Sequence, residues 1–137
     1  MYKVSVERTL DMPRKQVFGI LTQFGGLEKI LPDMIDALEL VGSGLGALRK
    51  IKVTAGGTVI ERLDAAYDER LFAYTITYND ALPFENYCAV VTLEDAGGKT
   101  RACWSSNWDA KGASEEEIKT MLTGLYGTLL EGLYKLA

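Results

Sequence analysis

The sequence contains no histidine, only two cysteines and only three prolines in 137 residues. Without histidine there is no serine–histidine–acid triad, and the commonest zinc sites are excluded. No metal or cofactor is expected. No apolar run approaches the ~18 residues that span a membrane. Lysines and arginines never form a run, and the formal net charge is −4. Nucleic-acid binders present a basic face, so neither nucleic acid nor an anionic membrane is an expected partner. The first residues, Met1-Tyr2-Lys3-Val4-Ser5-Val6, lack the basic start and apolar stretch of a secretory signal. A cytoplasmic location is expected.

Hydrophobic residues make up 47% and charged residues 25%, which suits one globular domain over 1–137 and argues against disorder or coiled coil. Residues 2–9 are rich in β-branched side chains and predict a strand. Asp11 is a candidate helix N-cap and Pro13 suits a first turn. Val17, Ile20, Leu21 and Phe24 recur at helical spacing until Gly25-Gly26. A second short helix runs to Leu31, where Pro32 stops it. Six strands follow, over 34–41, 46–54, 58–64, 71–78, 84–94 and 99–109. The last two are joined at Gly97-Gly98, a hairpin signal. Ser114 and Glu117 form a capping box. Beyond it Ile118, Met121, Leu122, Leu125, Leu129 and Leu133 make one stripe on a helix over 115–135.

The expected fold class is therefore α+β, with seven antiparallel strands curved around a long C-terminal helix. A bent sheet and one helix leave space between them, and a small hydrophobic molecule is the expected partner. In the last hairpin, Cys88 falls opposite Asn107 and Cys103 opposite Thr92. That leaves the thiols about 13 Å apart along the strands, beyond the ~7 Å Cα separation a disulfide tolerates. Two free thiols are expected.

Strand parity assigns the inner face. Arg49, Ile51 and Val53 share one side, and Lys50 and Lys52 the other. A turn at Ala55-Gly56-Gly57 would set Arg49 opposite Leu63, Ile51 opposite Glu61 and Val53 opposite Val59. Arg49 and Glu61 then meet on a diagonal. A buried ion pair can brace a pocket mouth without touching ligand. Alternatively Arg49 holds a ligand oxygen, or Glu61 acts as a base. Phe72, Tyr74, Ile76 and Tyr78 share a face, as do Tyr87, Ala89, Val91 and Leu93, and Trp104, Ser106 and Trp108. Aromatic residues under a helix are usually plain core. Tyrosines and tryptophans, however, carry polar tips that need partners. Gly124 and Gly127 lie inside the long helix, where each costs ~1 kcal/mol relative to alanine.

This element order resembles the START/Bet v 1-like (SRPBCC) superfamily, the helix-grip fold, and most closely its bacterial polyketide cyclase/dehydrase-like branch. The resemblance covers nearly the whole chain. It is carried by Gly44-Leu45-Gly46-Ala47-Leu48-Arg49, a glycine turn, and Glu61-Arg62-Leu63. Ser43-Gly44-Leu45 through Glu61-Arg62-Leu63 is also similar to the gate region of plant abscisic-acid receptors. Pro83 through Asn86-Tyr87 is similar to their second pocket-facing strand. Ile30 stands where members often carry tryptophan, Gly46 replaces the gate proline, and the latch histidine has no counterpart. Hormone reception is therefore not implied.

The leading expectation is a binding module for a lipid-like, aromatic or polyketide-like molecule. Its candidate contacts are Arg49, Ile51, Glu61, Tyr74, Tyr87, Ala89, Trp104, Trp108, Met121 and Leu125. The alternative is a cyclase or dehydratase in which Glu61 or Tyr87 moves a proton and Arg49 stabilises an enolate. A third reading is a protein-binding regulator. The resemblance alone does not choose among them, because one fold hosts many functions.

Overall fold

A computed structural model describes residues 1–137. The chain runs β1 (Tyr2–Leu10), α1 (Arg14–Thr22), α2 (Leu27–Ile30), β2 (Ile35–Val41), β3 (Leu48–Val53) and β4 (Thr58–Tyr67). It continues through β5 (Leu71–Asn79), β6 (Phe84–Ala96), β7 (Lys99–Ala110) and α3 (Glu115–Gly132) to a 3-10 turn at Leu133–Leu136. All strand pairs are antiparallel, in the order β1-β7-β6-β5-β4-β3-β2. The sheet curves around α3, and the expected architecture is the observed one. No helix is long and apolar enough to cross a membrane.

Local chemistry explains the elements. Ser114 caps α3: its hydroxyl accepts from the Glu117 N–H, and the Glu117 carboxylate reaches back to the Ser114 N–H. The buried face of α3 carries Ile118, Leu122, Tyr126, Leu129 and Leu130. The helix was expected to run unbroken over 115–135, but regular α-helix ends at Gly132 and tightens into the 3-10 turn. Gly132 is where α3 meets α2: a Cβ there would lie 2.5 Å from Ile30 Cγ2. Gly124, by contrast, faces open space. At α1 the cap is Pro13 rather than Asp11, with no side-chain bond. The Pro13 carbonyl accepts from Gln16 and Val17, and an N-cap has no need of its own N–H.

Two registers differ from expectation. In the β3–β4 hairpin the three-residue turn is Thr54-Ala55-Gly56, closed by the Val53 N–H donating to Gly57 O at 3.1 Å. Arg49 therefore lies directly opposite Glu61, and Ile51 opposite Val59. The slip is two residues, so every side chain keeps its face. In β5 the pairing with β4 jumps from Glu61↔Ile76 to Ile60↔Tyr78. This bulge reverses parity, so Tyr78 points outward and is 50% exposed. The β6–β7 hairpin has the expected register, with Cys88 opposite Asn107, Cys103 opposite Thr92, and both thiols free.

The sheet is split at one place. Pairing between β5 and β6 stops at Thr75↔Cys88. Beyond it, β5 continues to Asn79 and β6 reaches back to Phe84. At the same level the β6–β7 register shifts between Glu85 and Cys88, and Asn86 has φ +54°.

Candidate functional site

Between α3, α2 and the concave side of β3–β6 lies a cavity of about 60 Å³. Of its 18 lining residues, 16 are hydrophobic. Leu27, Leu31, Met34 and Ile35 close one side, and Leu122, Leu125 and Leu129 of α3 form the roof. The charged lining residues are Arg49 and Glu61.

Arg49 is 3% exposed and Glu61 7%. Arg49 Nε donates to Glu61 Oε1 at 2.5 Å. The guanidinium carbon sits 4.0 Å from the centre of the Phe24 ring and 4.9 Å from that of Tyr74. A buried guanidinium is tolerable here because a carboxylate neutralises it and aromatic faces take up its remaining field. Phe24 reaches this position from the end of α1 with φ +63°. That left-handed conformation costs a bulky residue roughly 1–3 kcal/mol, and it is held by a ring that is 2% exposed.

The second polar cluster is uncharged. Trp104 Nε1 donates to Tyr74 Oη at 3.2 Å. Tyr74 Oη lies 3.0 Å from Tyr87 Oη, which lies 2.5 Å from Tyr126 Oη. The Trp104 and Tyr126 rings stack with centres 5.6 Å apart. Burial pushes all three phenols above their ordinary range, and the Glu61 charge raises them further. They are therefore hydrogen-bond donors at neutral pH, and Tyr87 is poorly suited to take a proton.

Of the residues singled out in the sequence, Arg49, Ile51, Glu61, Tyr74, Tyr87, Trp104 and Leu125 come together around the cavity. Ala89, Trp108 and Met121 do not line it. Ala89 is buried in the sheet between Tyr74 and Ser106. Trp108 packs against Tyr2, with ring centres 5.4 Å apart. Met121 is half-buried at the side of α3. Sequence reasoning missed Tyr126 and the role of Phe24, along with the lining from α2 and the loop after it. Tyr126 had a signal: it lies four residues after Leu122, on the same side of a helix.

Outside the split in the sheet is an open cleft of about 810 Å³, lined by Thr75–Asp80, Phe84–Cys88, Leu82 and Lys111. Ile76, Leu82, Phe84 and Tyr87 line both this cleft and the inner cavity. One layer of side chains separates the two spaces. The loop below it is fixed by Asn79, whose amide donates to the Leu82 and Phe84 carbonyls and whose oxygen accepts from the Ala81 and Leu82 N–H groups.

Comparisons with known proteins bear on this geometry. A family model described as polyketide cyclase / dehydrase and lipid transport matches residues 1–137. Among solved structures, the protein XoxI from Bacillus cereus is similar, with TM-score 0.80 and 25% identity over 97% of this chain and 93% of that one. An uncharacterised protein from Bacillus thuringiensis aligns with TM-score 0.76 and 24% identity over 98% and 96%. Ara h 8.0201 aligns with TM-score 0.72 and 21% identity over 98% of both chains, a likeness of fold. No curated protein matches the sequence.

Proposed function

The chain belongs to the polyketide cyclase / dehydrase and lipid transport family, and from that premise we propose that it binds a small hydrophobic molecule between α3 and the sheet. The observation that carries this reading is the apolar cavity separated from an outer cleft by a single layer of side chains. At about 60 Å³ the cavity is far below the ~300–1,000 Å³ of typical ligand sites. The ligand therefore enters by displacing that layer, and binding is coupled to widening of the site. The proposed contacts are Arg49, Ile51, Glu61, Tyr74, Tyr87, Trp104 and Leu125, joined by Leu122 and Phe84. Glu61 is already engaged by Arg49 and the phenols are held protonated, which favours binding over proton-transfer catalysis.

Native mass spectrometry of the purified protein, together with titration of the neutral dye N-phenyl-1-naphthylamine, tests the reading. Dye fluorescence should rise and saturate with one site. Leu125→Trp, which fills the cavity from α3, should abolish the rise with little change in Tm. A dye signal that is absent, or unaffected by Leu125→Trp, would sink the proposal.

A further inference from the structure

The hydroxyl chain carries one proton too many. Tyr74, Tyr87 and Tyr126 bring three hydroxyl protons, and the chain has two links between them. Trp104 Nε1, a donor only, fills an acceptor position on Tyr74 and offers none in return. Whichever way the links run, one hydroxyl proton has no acceptor. No carboxylate or backbone carbonyl bonds to any of the three. The Ser106 hydroxyl, buried beside Tyr126, adds a fourth proton and at most one further link, so the surplus of one remains. Buried polar groups are seldom left in this state. Two of the three phenols, Tyr74 and Tyr87, line the cavity, and Tyr126 does not.

We propose that the ligand is uncharged and carries a carbonyl-type oxygen that accepts this surplus proton from Tyr74 or Tyr87. The proposal rests on the binding reading above and narrows its ligand class. A carbonyl accepts without bringing a proton of its own. An alcohol would restore the surplus, and a hydrocarbon would leave it. A carboxylate would add a negative charge beside Glu61, whose own charge Arg49 already balances at 2.5 Å, and like charges in a poorly solvated site repel strongly. The two clusters thus divide the work: the ion pair excludes acids, and the hydroxyl chain selects acceptors.

The test uses three naphthalenes of one shape, 2-acetonaphthone, 2-isopropenylnaphthalene and 2-naphthoate, as competitors of N-phenyl-1-naphthylamine. The ketone should displace the dye at about tenfold lower concentration than the hydrocarbon, the worth of one hydrogen bond. Naphthoate should be the weakest. In Tyr74→Phe/Tyr87→Phe the ketone should lose its advantage while the hydrocarbon still competes. In Tyr126→Phe the surplus proton is confined to the two cavity-lining phenols, so the ketone's advantage should persist or grow. Equal competition by ketone and hydrocarbon in the parent protein overturns the inference, as does tightest binding by naphthoate or loss of the preference in Tyr126→Phe. If the double variant does not fold, the parent and Tyr126→Phe decide the matter. Dye binding with no displacement by any of the three overturns the inference and leaves the binding reading standing. Absence of dye binding overturns both.

Discussion

Arg49 and Glu61 meet across β3 and β4 as full charges, whereas Tyr74, Tyr87 and Tyr126 meet across β5, β6 and α3 as neutral hydroxyls. The ion pair is balanced in charge: one cation, one anion, joined through Arg49 Nε. The hydroxyl chain is incomplete by one acceptor. In the proposed reading the first kind of cluster keeps acids out. The second awaits a partner. Burial alone does not separate them, since Glu61 and Tyr87 are 7% and 4% exposed; charge does.

The largest effect should come from breaking the pair. Glu61→Leu leaves a buried guanidinium uncompensated and should cost ~3–5 kcal/mol in urea unfolding. Arg49→Leu/Glu61→Leu should cost much less. Coupling within the ~0.2–1 kcal/mol of exposed pairs would mean that the pair is effectively solvated and the contrast is wrong.

The hydroxyl chain should announce itself at alkaline pH. Each phenol is raised above its ordinary value of about 10 by burial. The unfolded phenols ionise near pH 10 while the folded ones stay protonated. Their contribution is thus fully present below about pH 10 and is lost as pH climbs beyond it, by up to ~1.4 kcal/mol per pH unit for each phenol. Arginine stays protonated throughout this range. Unfolding measured at pH 9, 10 and 11 should show a steep fall that is shallower in Tyr74→Phe/Tyr126→Phe. The same slope in parent and variant would remove the distinction.

The smallest effect should be that of Tyr126→Phe at neutral pH, about 1 kcal/mol. Its loss deprives Tyr87 of one partner but leaves Tyr74 in place. A cost equal to that of Glu61→Leu would show the chain to be as tightly closed as the ion pair.

Much of this interior was legible in the sequence, because β-strands alternate. Parity put Arg49, Glu61, Tyr74, Tyr87 and Trp104 on one face, and a two-residue error in the β3–β4 register did no harm for the same reason. What parity could not supply was a bulge. Thr77 turns Tyr78 outward, and no residue type there announces it. Helix spacing is less forgiving than strand parity. The stripe of Ile118, Leu122, Leu129 and Leu133 is buried as drawn, but it spans a wide arc that takes in Met121 and leaves out Tyr126, four residues after Leu122. Phe24 was placed on a helix that ends at Thr22. Its left-handed turn toward Arg49 depends on a tertiary contact that no local pattern encodes.

The split between β5 and β6 has an energetic meaning of its own. Had the ladder run on in register from Thr75↔Cys88, its next rung would have joined Ile76 to Tyr87. Elsewhere, parting two strands breaks a rung of backbone hydrogen bonds for every second residue. Here the strands part without breaking any rung, held by side-chain packing and, at the far end, by the bond from Asn79 to the Phe84 carbonyl. The sheet has a seam already unstitched, and the small fluctuations that open proteins locally are cheapest along it. Amide protons that face the seam should exchange with solvent well before those in the unbroken stretch of the β6–β7 hairpin, from Cys88↔Asn107 to Ala96↔Lys99.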